Sequence, residues 1–319
     1  MVHVGALPLY IPSPPVNSFH IGPVDIRYYA LGYIVGIACA ILLTRRRWAA
    51  MGGDPDVVLD LALWVVPAGI IGGRIYFDVT TPFDIPHVWY GPFAIWTGGL
   101  GIWGGVLLAT LVGAWRLRRM GITVGAFANA IAPGLLVAQG IGRIGNYFNK
   151  ELFGKPTTLP WGLQIPSAYR PSGYGQFATF QPTFLYELIW DFALAAFLIW
   201  LGRRFLIKHW GLFALYVAGY SAFRIFEESV RVDSSAYFLG FRLNFFVALV
   251  GTIGGLVWFA IVQRRPAKPA VVRRPEDDEE TPDGKAADDR VSSEDSSAEE
   301  TEKADSGTGA TTRSEESAT

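Results

Sequence analysis

Seven windows of mostly apolar residues constrain this chain more than any other feature. A helix needs roughly 20 such residues to cross a hydrocarbon layer about 30 Å thick. The windows fall at 27–44, 57–78, 96–115, 124–143, 182–202, 211–228 and 241–263; none contains lysine, and other charges gather near one end. The second is the least regular, since it holds Asp60 and Pro67. The expected fold is therefore all-α: a polytopic integral membrane protein with seven transmembrane helices. A hydrophobic content of 51% and a mean hydropathy of +0.29 agree, being too apolar for an ordinary soluble domain of this length. The segment Met1–Asp25 has several prolines and no basic n-region, so the first window reads as a retained helix rather than a cleaved signal peptide.

Orientation follows from the basic loops, because Lys and Arg near helix ends stay on the cytoplasmic side. Arg45, Arg46 and Arg47 follow the first window, and Arg116, Arg118 and Arg119 the third. Arg203, Arg204 and Lys208 follow the fifth, and Arg264 and Arg265 the seventh. This alternation predicts the N-terminus outside and the C-terminus cytoplasmic. The outer segments 79–95, 144–181 and 229–240 are rich in Pro, Gly and aromatics and read as interfacial; the longest, at about 144–181, reads as an ordered arm or lid.

Residues 276–319 hold 16 acids and 4 bases, a net charge of −12, whereas the other 275 residues hold 23 bases and 12 acids, a net +11. The near-neutral total thus conceals a basic apolar body joined to an acidic tail of disorder-prone composition. Three regions follow: an outer N-terminal segment 1–26, a seven-helix transmembrane domain 27–263 and a disordered acidic cytoplasmic tail 264–319. The single cysteine, Cys39, excludes an internal disulfide and reads as a small packing residue within the first window. Metal-ligand clusters, Walker loops and dinucleotide fingerprints are absent, so no metal, cofactor or nucleic-acid partner is expected.

Ionisable groups inside a span are costly and point to function. Here they gather at the outer end: Arg74 in the second window, Arg143 in the fourth, Arg224 and Glu228 in the sixth, and Tyr29, Tyr186 and Glu187 where the first and fifth begin. The run Gly98, Gly99, Gly101, Gly104 and Gly105 opens the third window on that side. Tyr220, Arg224, Glu228 and Arg231 share one helical face, while Glu227 lies about 100° away and reads as a packing or headgroup contact. Two arginines from different helices at headgroup depth suit a phospholipid phosphate, because a guanidinium is a planar fork matched to phosphate oxygens. An anion transporter would spread polar residues through both halves of the bundle, which this sequence does not. An intramembrane serine protease would need a histidine partner for Ser221, and none is evident. His3, His20, His87 and His209 all lie in terminal or loop segments.

The densest polar stretch is GRIGNYFNKELFG at 142–154. With IGPVDIRYYALGY at 21–33, GGRIY at 72–76, IWTGGLGIWGG at 95–105, QPTFLYE at 181–187 and GYSAFRIFEESVR at 219–231, it resembles the prolipoprotein diacylglyceryl transferase family. The resemblance implies a bacterial cytoplasmic (inner) membrane enzyme with its site facing the outer leaflet. Such enzymes transfer the diacylglyceryl group of phosphatidylglycerol to the lipobox cysteine thiol in the signal peptide of a prolipoprotein, forming a thioether and releasing glycerol phosphate. It implies that Arg143 and Arg224 are essential, and that Tyr29, Asn146, Glu151, Gly154, Tyr220 and Glu228 carry functional weight. Catalytic roles are thus expected for Arg143, Arg224, Glu228, Glu151 and Tyr29, and phosphatidylglycerol contacts for Arg143, Arg224, Asn146, Gly154, Tyr220 and Arg74. Two positions depart from the family pattern: Trp103 and Gln181 stand where many members have histidine. No histidine then stands ready for the thiol proton; Glu228 and Glu151 are the candidate acceptors, and holding Arg224 or Arg143 in position is their alternative role.

Overall fold

In the computed structural model, which describes residues 10–22, 24–233 and 235–266, each apolar window carries a helix. These are α1 (Tyr28–Ala50), α2 (Asp56–Thr80), α3 (Ile102–Arg119), α4 (Val124–Asn149), α5 (Thr183–Arg204), α6 (Gly211–Val230) and α7 (Leu243–Arg264). Five of them are long and apolar enough to cross a membrane. The other two, α3 and α6, carry three charged residues each: Arg116, Arg118 and Arg119 in one, Arg224, Glu227 and Glu228 in the other. Apolar residues cover the outside of the bundle. Only 11% of the apolar stretch of α1 and 17% of that of α7 is buried, against 61% for α4. Such a surface disfavours a water-soluble fold by about 25 cal/mol per Å².

Most helices outrun their windows. The basic stretch after the first window is helical because Trp48, 1% exposed, packs edge-on against Phe127 of α4 at 5.3 Å. Arg47 bonds the carbonyls of Ala130 at 3.0 Å and Asn129 at 3.2 Å. In contrast, α3 starts six residues later than its window, since Gly98 and Gly99 take φ of +94° and +80°, values that stop a right-handed helix. At the fourth window the helix runs on to Asn149, so the outer arm leaves it at Lys150 rather than at 144.

The irregular second window is reconciled by its neighbour. Arg116 grips both oxygens of Asp60, at 2.8 and 2.9 Å, which neutralises the acid. The glycine run proves to be a packing device: a Cβ on Gly72 would sit 2.4 Å from the Gly104 carbonyl, and one on Gly104 2.3 Å from the Gly72 carbonyl. Small residues let α2 and α3 approach this closely.

The central helix α4 packs against α1, α5 and α6, and α7 packs against α6. Three two-stranded antiparallel ribbons complete the structure: β1 (Ser18–Ile21) with β2 (Val24–Arg27), β3 (Leu163–Gln164) with β4 (Thr179–Phe180), and β5 (Tyr237–Phe238) with β6 (Phe241–Arg242). The middle ribbon belongs to the arm, which has its own apolar core of Phe153, Leu163, Ile165 and Phe180, joined by Ile11, Tyr147, Phe184 and Val232. That core accounts for the order expected of this segment. The acidic tail beyond 266 lies outside the described residues.

Candidate functional site

The last two turns of α4 and α6 and the first two turns of α5 meet at one end of the bundle. Arg143 of α4 donates through Nη2 to Glu187 Oε1 at 2.6 Å and to the Tyr220 hydroxyl at 3.2 Å, and through Nη1 to Asn146 Oδ1 at 3.3 Å. Arg224 of α6 lies 3.7 Å from the other oxygen of the same Glu187 carboxylate. Two guanidinium forks from different helices therefore converge on one anion, and Glu187 is fully buried between them.

Arg224 is also held from its own helix. It pairs with Glu227 at i+3 and donates to Glu228 Oε1 at 2.5 Å at i+4. The second oxygen of Glu228 accepts from Arg242 Nε at 2.6 Å. Asp233 then closes an outer clasp, accepting from Arg231 at 2.7 and 2.9 Å and from Arg242 Nη2 at 3.0 Å. Burial would push the Asp233 carboxyl up, but its bonds to Arg231 and Arg242 outweigh this and hold it below the usual carboxylate range. Arg143, Arg224, Arg231 and Arg242 thus face Glu187, Glu227, Glu228 and Asp233, a network in which the charges balance. Because desolvated charges survive only when paired, this balance keeps the arginines ionised in an apolar bundle.

Glu151, just past α4, accepts through Oε1 from the amides of Asn146 at 2.9 Å and Asn149 at 3.1 Å. Asn146 thereby links Glu151 to Arg143. The Tyr29 hydroxyl shares a 2.9 Å hydrogen bond with Tyr33, and its ring fills the space a side chain at Gly145 would need, 2.4 Å from that glycine's Cβ position. Gly154 acts through its backbone: its N–H donates to Gln181 O at 2.9 Å, and a Cβ there would lie 2.9 Å from the Gln181 Cβ and 3.1 Å from the Val230 carbonyl. It is the seat on which the arm docks against α6.

The structure thus brings Arg143, Arg224, Glu228, Asn146 and Tyr220 into one network, with Glu151 attached through Asn146 and Tyr29 beside α4. Arg74 is not part of it. Its guanidinium, 5% exposed, donates to the carbonyls of Gly91, Pro92, Gly98 and Gly99 at 2.7–3.2 Å and pairs with Asp78 at 3.0 Å. This arginine clamps the α2–α3 connection, with four of its five N–H donors on backbone carbonyls. Trp103 is exposed on the first turn of α3, while Gln181 contributes backbone bonds to Gly154 and Lys155.

Sequence reasoning passed over Arg242 and Asp233, placed Glu187 at this end without giving it a role, and ranked Glu227 below its neighbours. Glu227, assigned to packing or a headgroup contact, is instead 2% exposed and paired with Arg224, because the long arginine side chain reaches both i+3 and i+4. Glu187 had a signal: a lone acid in the first two turns of an apolar helix, level with two arginines. Asp191, one turn deeper on α5, is fully buried with neither oxygen hydrogen-bonded. Among the described residues no group of three or more His, Cys, Asp or Glu is placed to hold a metal ion.

Residues 16–261 match the model of the family described as prolipoprotein diacylglyceryl transferase. The chain is 47% identical over 263 residues to a phosphatidylglycerol–prolipoprotein diacylglyceryl transferase of Cutibacterium acnes, covering 82% of this chain and 89% of that one. It is 44% identical over 264 residues to the enzyme of that name numbered 2 in Streptomyces coelicolor, covering 80% and 82%. A further relative of the same name, from Mycolicibacterium paratuberculosis, is 46% identical over 294 residues, covering 86% and 68%.

Proposed function

The chain belongs to the prolipoprotein diacylglyceryl transferase family, and from that premise we propose that it moves the diacylglyceryl group of phosphatidylglycerol onto the lipobox cysteine thiol of a prolipoprotein signal peptide. The observation that carries the reading is the convergence of Arg143 and Arg224 on the single carboxylate of Glu187. A phosphodiester has the charge and oxygen geometry to bind the open faces of the two forks that this carboxylate holds in register.

In the reaction the thiolate sulfur attacks the diacylglycerol carbon that bears the phosphate oxygen. The C–S bond forms as the C–O bond breaks, and the bonding pair leaves with glycerol phosphate. Arg143 and Arg224 stabilise the charge that gathers on the departing phosphate, with Asn146 and Tyr220 orienting Arg143. The thiol proton goes to Glu151, whose Oε1 alone is engaged, by two amides. Glu228 is a weaker acceptor, since both of its oxygens already bind arginines. Tyr29 lines the approach to α4, and Gly154 seats the arm.

The same reading places all seven helices across the bacterial inner membrane, with the N-terminal segment outside, the tail after 264 in the cytoplasm and the site at the outer leaflet. It is supported by the basic ends of α1, α3, α5 and α7, which fall on the side away from the arginine network.

The test is purified protein in lipid nanodiscs with head-labelled and acyl-labelled phosphatidylglycerol and a lipobox peptide. Acyl label should appear on the peptide as a thioether while head label is released as glycerol phosphate. Absence of both sinks the proposal.

A further inference from the structure

A cavity of about 220 Å³ opens beside the arginine network, lined by Lys150, Glu151, Tyr169, Pro171, Val232 and Asp233. Three parts of the chain build it: the C-terminal cap of α4, the arm, and the connection between α6 and α7. Its charges are unequal. Asp233 is held by Arg231 and Arg242, and Glu151 by two asparagine amides. Lys150 is 8% exposed, and among the described residues its ammonium has neither an ion pair nor a hydrogen bond. Its Nζ lies 4.9 Å from the centroid of the Tyr169 ring. The side chain is enclosed while its ammonium reaches the cavity, a setting in which a cation normally gains an anionic partner.

We propose that this cavity is an anion subsite for a glycerol phosphate, and that Lys150 receives the leaving group after transfer. The inference rests on the function proposed above and names where its second product goes. The chemistry favours this order. Before cleavage the phosphate is a diester with one negative charge; afterwards it is a monoester with about −1.5 to −2. The arginines around Glu187 are already balanced by carboxylates, so the added charge is drawn to the uncompensated cation nearby. Glu151 forms the wall between, linked to Arg143 through Asn146. On taking the thiol proton its side chain becomes neutral, which removes the repulsion an outgoing phosphate would otherwise meet.

Two sources could supply the same chemistry: the released monoester, or the headgroup of a second phosphatidylglycerol. The experiment titrates glycerol 1-phosphate into the full-length protein in neutral-lipid nanodiscs by calorimetry, for wild type, Lys150→Gln, Lys150→Arg and Tyr169→Leu. Product inhibition of transfer is followed in parallel, and KM for phosphatidylglycerol is obtained by varying its mole fraction. Wild type and Lys150→Arg should bind glycerol 1-phosphate, with Lys150→Gln weaker by about tenfold, the loss expected for one charge-assisted hydrogen bond. Inhibition should weaken in step, and Tyr169→Leu, which leaves the charge in place, should stay within a few-fold of wild type.

Equal binding by wild type and Lys150→Gln, or none by wild type, overturns the proposal. So does a Lys150→Gln variant with raised KM for phosphatidylglycerol and unchanged product inhibition, which would make this a lipid headgroup site. Binding that depends on Lys150 in a protein that transfers nothing would refute the proposed function and leave the subsite standing.

Discussion

Arg143 and Glu187 meet at 2.6 Å where the C-terminal part of α4 passes the N-terminal part of α5, with the carboxylate fully buried and the guanidinium still partly open. The acid is the fixed member of the pair and the arginine the one that faces a ligand. Glu187→Gln keeps the shape but removes the charge that holds both arginines in register. Transfer should fall on the order of 10²-fold, the usual cost of misplacing a group by about 1 Å. Activity within threefold of wild type would show that the arginines are positioned by other contacts.

Replacing Arg143 or Arg224 by Lys retains a positive charge and loses the planar fork. Both variants should insert and fold, with transfer reduced sharply. Near-normal rates in both would remove the forks from the reaction, since a point charge would then suffice.

The helical body was legible from the apolar windows, Arg143, Arg224, Glu228 and Glu187 from their shared depth, Tyr220 from the helical face, and Asn146 from the motif at 142–154. The role of Glu187 and the presence of Asp233 were not, because they come from contacts across helices rather than from spacing along one. Arg74 shows the converse. Its place at the outer end of an apolar helix suggested a lipid contact, but the carbonyls that bind it come from the α2–α3 connection, whose path no periodicity describes. The early end of the third window was misjudged for a local reason: Gly98 and Gly99 look apolar in composition yet hold backbone angles that exclude helix.

Arg74→Leu therefore tests a structural role. It would leave four backbone carbonyls without their donor and Asp78 without its counter-ion, so stability should drop by about 3–5 kcal/mol, the usual result of breaking a buried charge network. The reading is the thermal midpoint in detergent. A variant of wild-type stability with only a raised KM for phosphatidylglycerol would return Arg74 to the substrate site.

Proton acceptance by Glu151 predicts that Glu151→Gln lowers transfer by about 10²-fold or more, the usual contribution of a positioned base. Glu228→Gln, which breaks a doubly paired acid, should lower it through the placement of Arg224 and Arg242. A lipobox peptide carrying selenocysteine, which ionises more readily than cysteine, should recover much of the rate in Glu151→Gln and little in Glu228→Gln. Equal recovery in both assigns the proton elsewhere, with Tyr29 the next group to test.

Asp233 gives a stability prediction with a defined sign. Its folded pKa lies below the unfolded value near 3.9 because Arg231 and Arg242 outweigh burial, so its contribution is complete above that pH. As pH falls below about 3.9 and on through the folded value, the carboxyl protonates and the contribution is lost. Asp233→Asn should therefore be less stable than wild type by about 1–3 kcal/mol at neutral pH, the range for hydrogen bonds to charged groups. The gap should stay constant from pH 7 to pH 5 and close in stronger acid. Denaturation of both proteins across that range decides the matter: a gap that closes between pH 7 and 5 would mean that Asp233 is not held in its charged form by the two arginines.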